Sequence, residues 1–293
     1  MKKEEVIFVL KDKNIIIIGG DKRFSCLFDM LKDRVKNCVI LNTDTEVFVS
    51  EYFLKEFDVV ILPLPVTKDG IYINSSNESF RMSLKSVIEN IREDAIVFGG
   101  IINDSLKNKL KQRKIRCFDY YTDEDFLILN SRLTALGTVK LISNSAIEKL
   151  KNKKALITGY GHLSKALCSC LDDLEMNVSV VARNVKSRED ALCHGFDAYD
   201  FPVYEDVLQK FDYIFNTVAS KIFSPENIKK LRKDTVFVEL ASKPFGTDPE
   251  YFVSFDKKYI CGQSLPGKYY PEECAKGIYD VIVSCMTAGG DNN

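Results

Sequence analysis

A chain of 293 residues with 45% hydrophobic and 28% charged residues has a globular composition, and it is longer than one ordinary core fills, so two domains are expected. A formal net charge of −1 gives no electrostatic case for nucleic acid or an anionic membrane. No apolar run approaches a membrane span and the lysine-rich start lacks a cleavage pattern, so the chain reads as cytoplasmic. The nine cysteines include no C-x-x-C pair, which indicates neither a disulfide framework nor a metal site.

In chain order, Asn14 to Ile18 reads as a strand, Gly19 to Arg23 as a turn and Phe24 to Leu31 as a helix. Strands follow at Cys38 to Leu41 and Asp58 to Leu62, the second stopped by Pro63 and Pro65. A polar loop runs through Asn77, a helix over Glu78 to Arg92 and a strand over Ala95 to Phe98 before Gly99-Gly100. A helix from Asp104 to Arg113 and a short strand from Ile115 to Phe118 complete an open parallel sheet of flavodoxin-like character. Glu124 to Leu150 has helical period throughout and reads as the hinge to a second lobe.

That second lobe carries strands at Lys154 to Thr158, Val178 to Ala182, Tyr213 to Asn216, Thr235 to Leu240 and Tyr259 to Gly262. Helices interleave at Lys165, Arg188, Pro225 and Pro249, and a last helix from Pro271 to Thr287 is expected to return to the first lobe. The whole reads as α/β, two Rossmann-like lobes with parallel sheets separated by a cleft. The boundaries are 1–130, joined by 271–293, for a flavodoxin-like substrate domain and 131–270 for a nucleotide-binding domain.

The strongest chemical signal is Gly159-Tyr160-Gly161-His162-Leu163-Ser164, where a strand meets the start of a helix. A glycine pair there lets the main chain approach a diphosphate, and the helix offers unpaired N–H groups and a positive dipole end. The next strand ends at Arg183-Asn184, where an NAD-specific site carries an acidic residue, so a 2′-phosphate and hence NADP are favoured. Asn216 and Thr217, at a strand end, could approach the cofactor's diphosphate and ribose; Ala241 and Ser242 could meet the nicotinamide ring. Leu265-Pro266-Gly267 reads as a loop whose backbone could touch that ring or its amide.

Several stretches together resemble the dipicolinate synthase A-subunit family: Gly19 to Arg23, Leu62-Pro63, Phe98 to Ile101, Asn130-Ser131 leading to Thr134 and Gly137, Asn216-Thr217, Leu240 to Asp248, and Leu265 to Lys268 with Pro271. The resemblance covers nearly the whole chain. It implies a dehydrogenase that oxidises dihydrodipicolinate with NADP in the mother cell of a sporulating bacterium, in a homo- or hetero-oligomer with the flavoprotein-like B-subunit of dipicolinate synthase. It also implies a small dicarboxylate substrate, held by Arg23, Arg132, Lys243 and the Gly267 backbone, with Lys243 and Thr134 at the reacting centre. The chain departs from the family pattern at Leu136, where an acidic residue is usual, at Lys243 in place of arginine, at Phe245 in place of glycine, and at Glu273 to Ala275.

Two other readings compete. A D-2-hydroxyacid dehydrogenase needs a histidine acid, and the only histidines, His162 and His194, stand away from the expected position. A catalytically weakened NADP-binding scaffold or regulator of the flavoprotein partner is the alternative that Leu136 supports.

Overall fold

The computed structural model describes residues 9–42, 53–143 and 147–288. The chain divides into two compact units, residues 1–129 with 270–293 and residues 130–269. Each is built on an all-parallel sheet with helices between successive strands, an α/β fold.

In the first unit the strands β1 (Asn14–Ile18), β2 (Asn37–Leu41), β3 (Val59–Ile61), β4 (Ile96–Gly99) and β5 (Arg116–Asp119) lie in the order β2-β1-β3-β4-β5. This is the flavodoxin-like order of a doubly wound sheet. Ile15 to Ile18 are all fully buried, which explains why the inner strand β1 is an unbroken apolar run. Helix α1 (Lys22–Leu31) is capped by Asp21, whose side chain accepts from the Arg23 N–H, and it buries Phe24, Leu27 and Leu31. Helix α2 (Leu84–Asn90) is shorter than the expected 78–92. Residues 71–74 take the backbone groups just before it: Ile73 N–H donates to Met82 O, Leu84 N–H donates to Ile71 O, and Ser83 then caps the helix. Helix α3 is Asp104–Gln112.

Helix α4 (Glu124–Ile142) ends well before Leu150; residues 144–146 of that expected helix lie outside the described residues, and Ile147–Leu150 form a 3-10 turn.

The second unit holds β6 (Lys154–Thr158), β7 (Asn177–Val181), β8 (Asp197–Tyr199), β9 (Tyr213–Asn216), β10 (Val236–Glu239) and β11 (Lys258–Cys261) in the order β11-β10-β9-β6-β7-β8. Strand β6 pairs with β7 on one side and β9 on the other, so the strand order reverses beside it. Open sheets bind ligands beyond the carboxyl ends of strands at such a point. Helices α5 (His162–Asp172), α6 (Val185–Cys193), α7 (Phe201–Val207), α8 (Pro225–Lys230) and α9 (Glu250–Ser254) connect the strands, and α10 (Leu265–Tyr269) follows β11. One apolar cluster joins Leu167, Leu171, Val180 and Phe215; the other joins Tyr204, Phe223, Phe237 and Phe252.

The edge strand β8, α7 and α10 were not expected from the sequence. In α10 the Leu265-Pro266-Gly267 stretch is helical and buried rather than a loop, with Pro266 in the first turn, where its missing N–H costs nothing. The final helix α11 (Pro271–Ala288) belongs to the first unit and packs on α1, with Arg34 over the Tyr279 ring at 5.4 Å.

Candidate nucleotide and substrate site

Each unit has a glycine turn after its first strand, and the two turns differ in what covers them. At Gly19, φ +71°, an added Cβ would lie 2.6 Å from Asn74 O, and Gly20 N–H donates to that same carbonyl. Protein backbone therefore fills this turn. At Gly159, φ +84°, an added Cβ would stand 3.0 Å from Thr217 Oγ1, so the strand end and the next loop meet closely there. At Gly161 an added Cβ would meet nothing within 4 Å. Gly161 is the N-cap of α5, and no side chain caps that helix. The turn thus sets the positive end of α5, without a side-chain cap, behind open space at Gly161, which is what a diphosphate requires.

Beneath that turn lies a buried polar network. Ser164 Oγ is 2.9 Å from Thr217 Oγ1, which donates to Thr158 O at 2.6 Å. Thr158 Oγ1 donates to Asn216 Oδ1 at 2.6 Å. Asn216 Nδ2 donates to Glu239 Oε1 at 2.6 Å and to Val218 O at 3.0 Å. Glu239 Oε1 also accepts from Ala241 N–H at 3.0 Å, and its Oε2 from Gly246 N–H at 2.9 Å. Burial pushes the Glu239 carboxyl above the usual carboxylate range, against the lowering effect of its three N–H donors.

This network fixes where the expected cofactor residues stand. Asn216 is fully buried with both amide atoms committed inside the protein, so it ties strand ends together rather than presenting its side chain. Thr217 is half-buried and its hydroxyl proton is spent on Thr158. Ala241 is buried, and its carbonyl accepts from Gln263 Nε2 at 2.7 Å, which links the ends of β10 and β11. Ser242 and Lys243 are exposed, at the tip of a turn closed by Phe245 N–H donating to Ser242 O at 3.0 Å.

At the glycine turn itself, His162 is exposed and Leu163 half-buried, while Tyr160 is buried under Lys165, whose Nζ stands 5.3 Å from the ring centre. Burial pushes the Tyr160 hydroxyl up to about 12. Arg183 is exposed just beyond β7, with no side-chain partner among the described residues. Asn184 caps α6 through Lys186 N–H at 2.9 Å, and Arg188 Nη1 donates to Ala182 O at 2.7 Å and Arg183 O at 2.9 Å. These contacts hold the backbone that presents the Arg183 guanidinium.

The expected substrate residues are less gathered. Arg132 is exposed and close to Cys170, whose burial-raised thiol it draws back down. Cys170 lies eight residues past His162 on α5, a rise of about 12 Å from the phosphate end of that helix. Thr134 Oγ1 donates to Asn130 O at 2.7 Å and keeps only acceptor capacity. Gly267 is buried within α10.

Arg23, in the first unit, is only 5% exposed. Its Nε and Nη2 donate to the two oxygens of Asp21 at 2.8 and 2.7 Å, and Nη2 also donates to Leu64 O at 3.1 Å. The guanidinium edge that would grip a substrate carboxylate bidentately is therefore held by Asp21. Asp21, two residues earlier, was the available signal. Glu239 was missed as well, although an acidic residue in the apolar stretch Thr235 to Leu240 is itself conspicuous.

The family model for the N-terminal domain of the dipicolinate synthase A-subunit matches residues 14–121. The dipicolinate synthase A-subunit of Bacillus subtilis (strain 168) is 22% identical over 284 residues, 94% of this chain and 96% of that one. The crystal structure of the dipicolinate synthase A-subunit from Bacillus halodurans superposes with a TM-score of 0.81 at 21% identity, covering 95% of this chain and 99% of that chain. A putative D-3-phosphoglycerate dehydrogenase from Ralstonia solanacearum superposes with a TM-score of 0.61 at 13% identity, each chain covered to 96%. The last likeness shows that the fold is shared with dehydrogenases. No helix among the described residues is long and apolar enough to cross a membrane.

Proposed function

We propose that this chain, related to the dipicolinate synthase A-subunit, is an NADP-dependent dehydrogenase that oxidises dihydrodipicolinate to dipicolinate. The observation that carries the nucleotide half is the open turn at Gly161, at the uncapped start of α5, beside the strand-order reversal at β6. Bound there, NADP would supply the hydride acceptor. The exposed Arg183 would take the 2′-phosphate, and the main-chain N–H groups of Gly161 and Leu163 the diphosphate. Ala241, Leu265 and Pro266 would offer the nicotinamide side buried walls, and Ser242 its hydroxyl.

Loss of a hydride and a proton makes the dihydropyridine ring aromatic, so the product drives the reaction and little acid–base help is needed. The proton leaves to water. Positioning of a doubly negative ring is then the main task, and Lys243 is the exposed cation the second unit provides beyond β10. Thr134 can only accept a hydrogen bond in such a site. The flavoprotein-like partner and the mother-cell cytoplasm belong to the same proposal, and rest on the kinship with the dipicolinate synthase A-subunit.

The test is titration of the purified chain with NADPH and NADH, followed by dipicolinate formation from a dihydrodipicolinate-generating mixture with and without the partner. Preferential NADPH binding and NADP-dependent product formation are expected. A second reading, a scaffold that binds NADP without turnover, is favoured by Leu136 on α4 and by the internal pairing of Arg23. Nucleotide binding with no product under either condition would select it.

A further inference from the structure

Glu239 is the one carboxylate fully buried at the carboxyl end of the second sheet among the described residues, and nothing in the reaction as proposed uses it. Three N–H donors converge on it, from Asn216, Ala241 and Gly246, and no cation lies within ion-pair distance of it among the described residues. Such convergence suits an ionised acceptor, since each oxygen receives and neither needs to give. The titratable groups near it are Lys221, which draws its pKa down, and the Tyr259 hydroxyl, which burial raises and the Glu239 carboxylate raises further.

The donors define a clamp. Asn216 belongs to β9, Ala241 follows β10, and Gly246 lies at the far end of the exposed turn Ser242 to Phe245. The two oxygens therefore bind both ends of that turn, Oε1 at Ala241 and Oε2 at Gly246. The seat at Gly246 is tight: an added Cβ would fall 2.4 Å from Asn216 Nδ2. Phe245 takes φ +63° in the same turn, a left-handed conformation costly for a bulky residue that persists only where surroundings over-determine it.

We infer that Glu239 is a positioning residue for the substrate site: its carboxylate holds the 241–246 turn closed so that Lys243 is presented in one place to the dicarboxylate. This rests on the proposed nucleotide and substrate reading of the same site. It has a directional consequence. In Glu239→Gln the remaining carbonyl oxygen can keep the Asn216 and Ala241 donors, while the new NH2 group faces the Gly246 N–H, donor against donor. The variant thus frees the Gly246 N–H and loosens the Lys243 turn on that side, while the Gly246 carbonyl still accepts from Ile222 and Phe223 N–H at 2.9 and 3.0 Å and the nucleotide side stays in place.

The experiment has two parts. In the unmodified chain, amide hydrogen exchange at Gly246 should be slow, since its donor is taken by Glu239. In Glu239→Gln it should speed up while the β9 and β10 amides stay protected. In binding, dipicolinate affinity measured with NADPH present should fall about tenfold in Glu239→Gln, while NADPH affinity stays within about threefold. Lys243→Met should cost about tenfold in the native background and under about twofold when added to Glu239→Gln, because the residues act as a unit. Fast Gly246 exchange in the native chain overturns the clamp, even if the variant does not fold. Additive Lys243 and Glu239 losses, or unchanged dipicolinate affinity with normal NADPH binding, overturn the role of Glu239 alone. A native chain that binds no NADPH removes the site reading and this role with it.

Discussion

Replacing Arg23 by methionine decides whether that residue frames the first unit or grips substrate. The substitution keeps much of the buried volume and deletes the three side-chain hydrogen bonds to Asp21 and the one to Leu64 O. Removing one partner of a buried ion pair costs about 3–5 kcal/mol. Asp21 keeps 25% side-chain exposure and can regain water, and it still caps α1 through the residue 23 N–H, so the low end, about 3 kcal/mol, applies. The chain has no tryptophan and two units, so a single optical unfolding curve would mix transitions. Native-state hydrogen exchange of the Ile15 to Ile18 and Val59 to Ile61 amides reports the opening of the first unit directly. Those amides should lose about 3 kcal/mol of protection in Arg23→Met while dipicolinate binding persists. Protection changed by less than about 1 kcal/mol together with lost dipicolinate binding would refute the framing role.

Arg183→Asp should narrow the preference for NADPH over NADH by about tenfold, the worth of one charge-assisted hydrogen bond, and the effect should shrink with salt; paired titrations at two ionic strengths measure it. Lys114 follows α3 at φ +57° and is exposed, so Lys114→Gly should raise stability by about 0.5–1 kcal/mol in denaturant unfolding. Asp212 is partly buried, which pushes its carboxyl up, but the Lys154 N–H at 2.8 Å and Arg232 at 2.7 Å outweigh this and hold it below the usual range. A depressed carboxylate contributes stability that is present above its unfolded pKa and lost as pH falls through the folded one. Protection of the β6 amides should therefore drop as pH falls below the ordinary aspartate range, and Asp212→Asn should flatten that dependence.

Strands buried on both faces were legible because burial leaves no room for polar alternation: Ile15 to Ile18 and Val59 to Ile61 carry their placement in their composition. The edge strand Asp197–Tyr199 was not, since one exposed and two half-buried residues give no pattern. Residues 78–83 have helical composition, yet Met82 O accepts from Ile73 N–H and Leu84 N–H donates to Ile71 O, a tertiary choice no local window contains. Pro266 and Gly267 suggested a loop because both break helices in mid-run, but α10 is one turn long, and its proline stands where a helix tolerates one.

The site divided in the same way. The placement of Gly159 and Gly161 at a strand-to-helix turn, and of Arg183 just beyond a strand, was readable from spacing alone. The role of Asn216 was not, because its partners Thr158 and Glu239 lie 58 and 23 residues away. Arg23 looked like a free cation on a strand-end loop, and only the folded geometry shows that Asp21 takes its fork.

The most direct test of the account is a crystal structure of the chain grown with NADP. Diphosphate oxygens are expected within hydrogen-bond distance of the main-chain N–H groups of Gly161 and Leu163, and the 2′-phosphate at Arg183. A nucleotide bound elsewhere, or a bend at Gly161 left empty at saturating NADP, would contradict it.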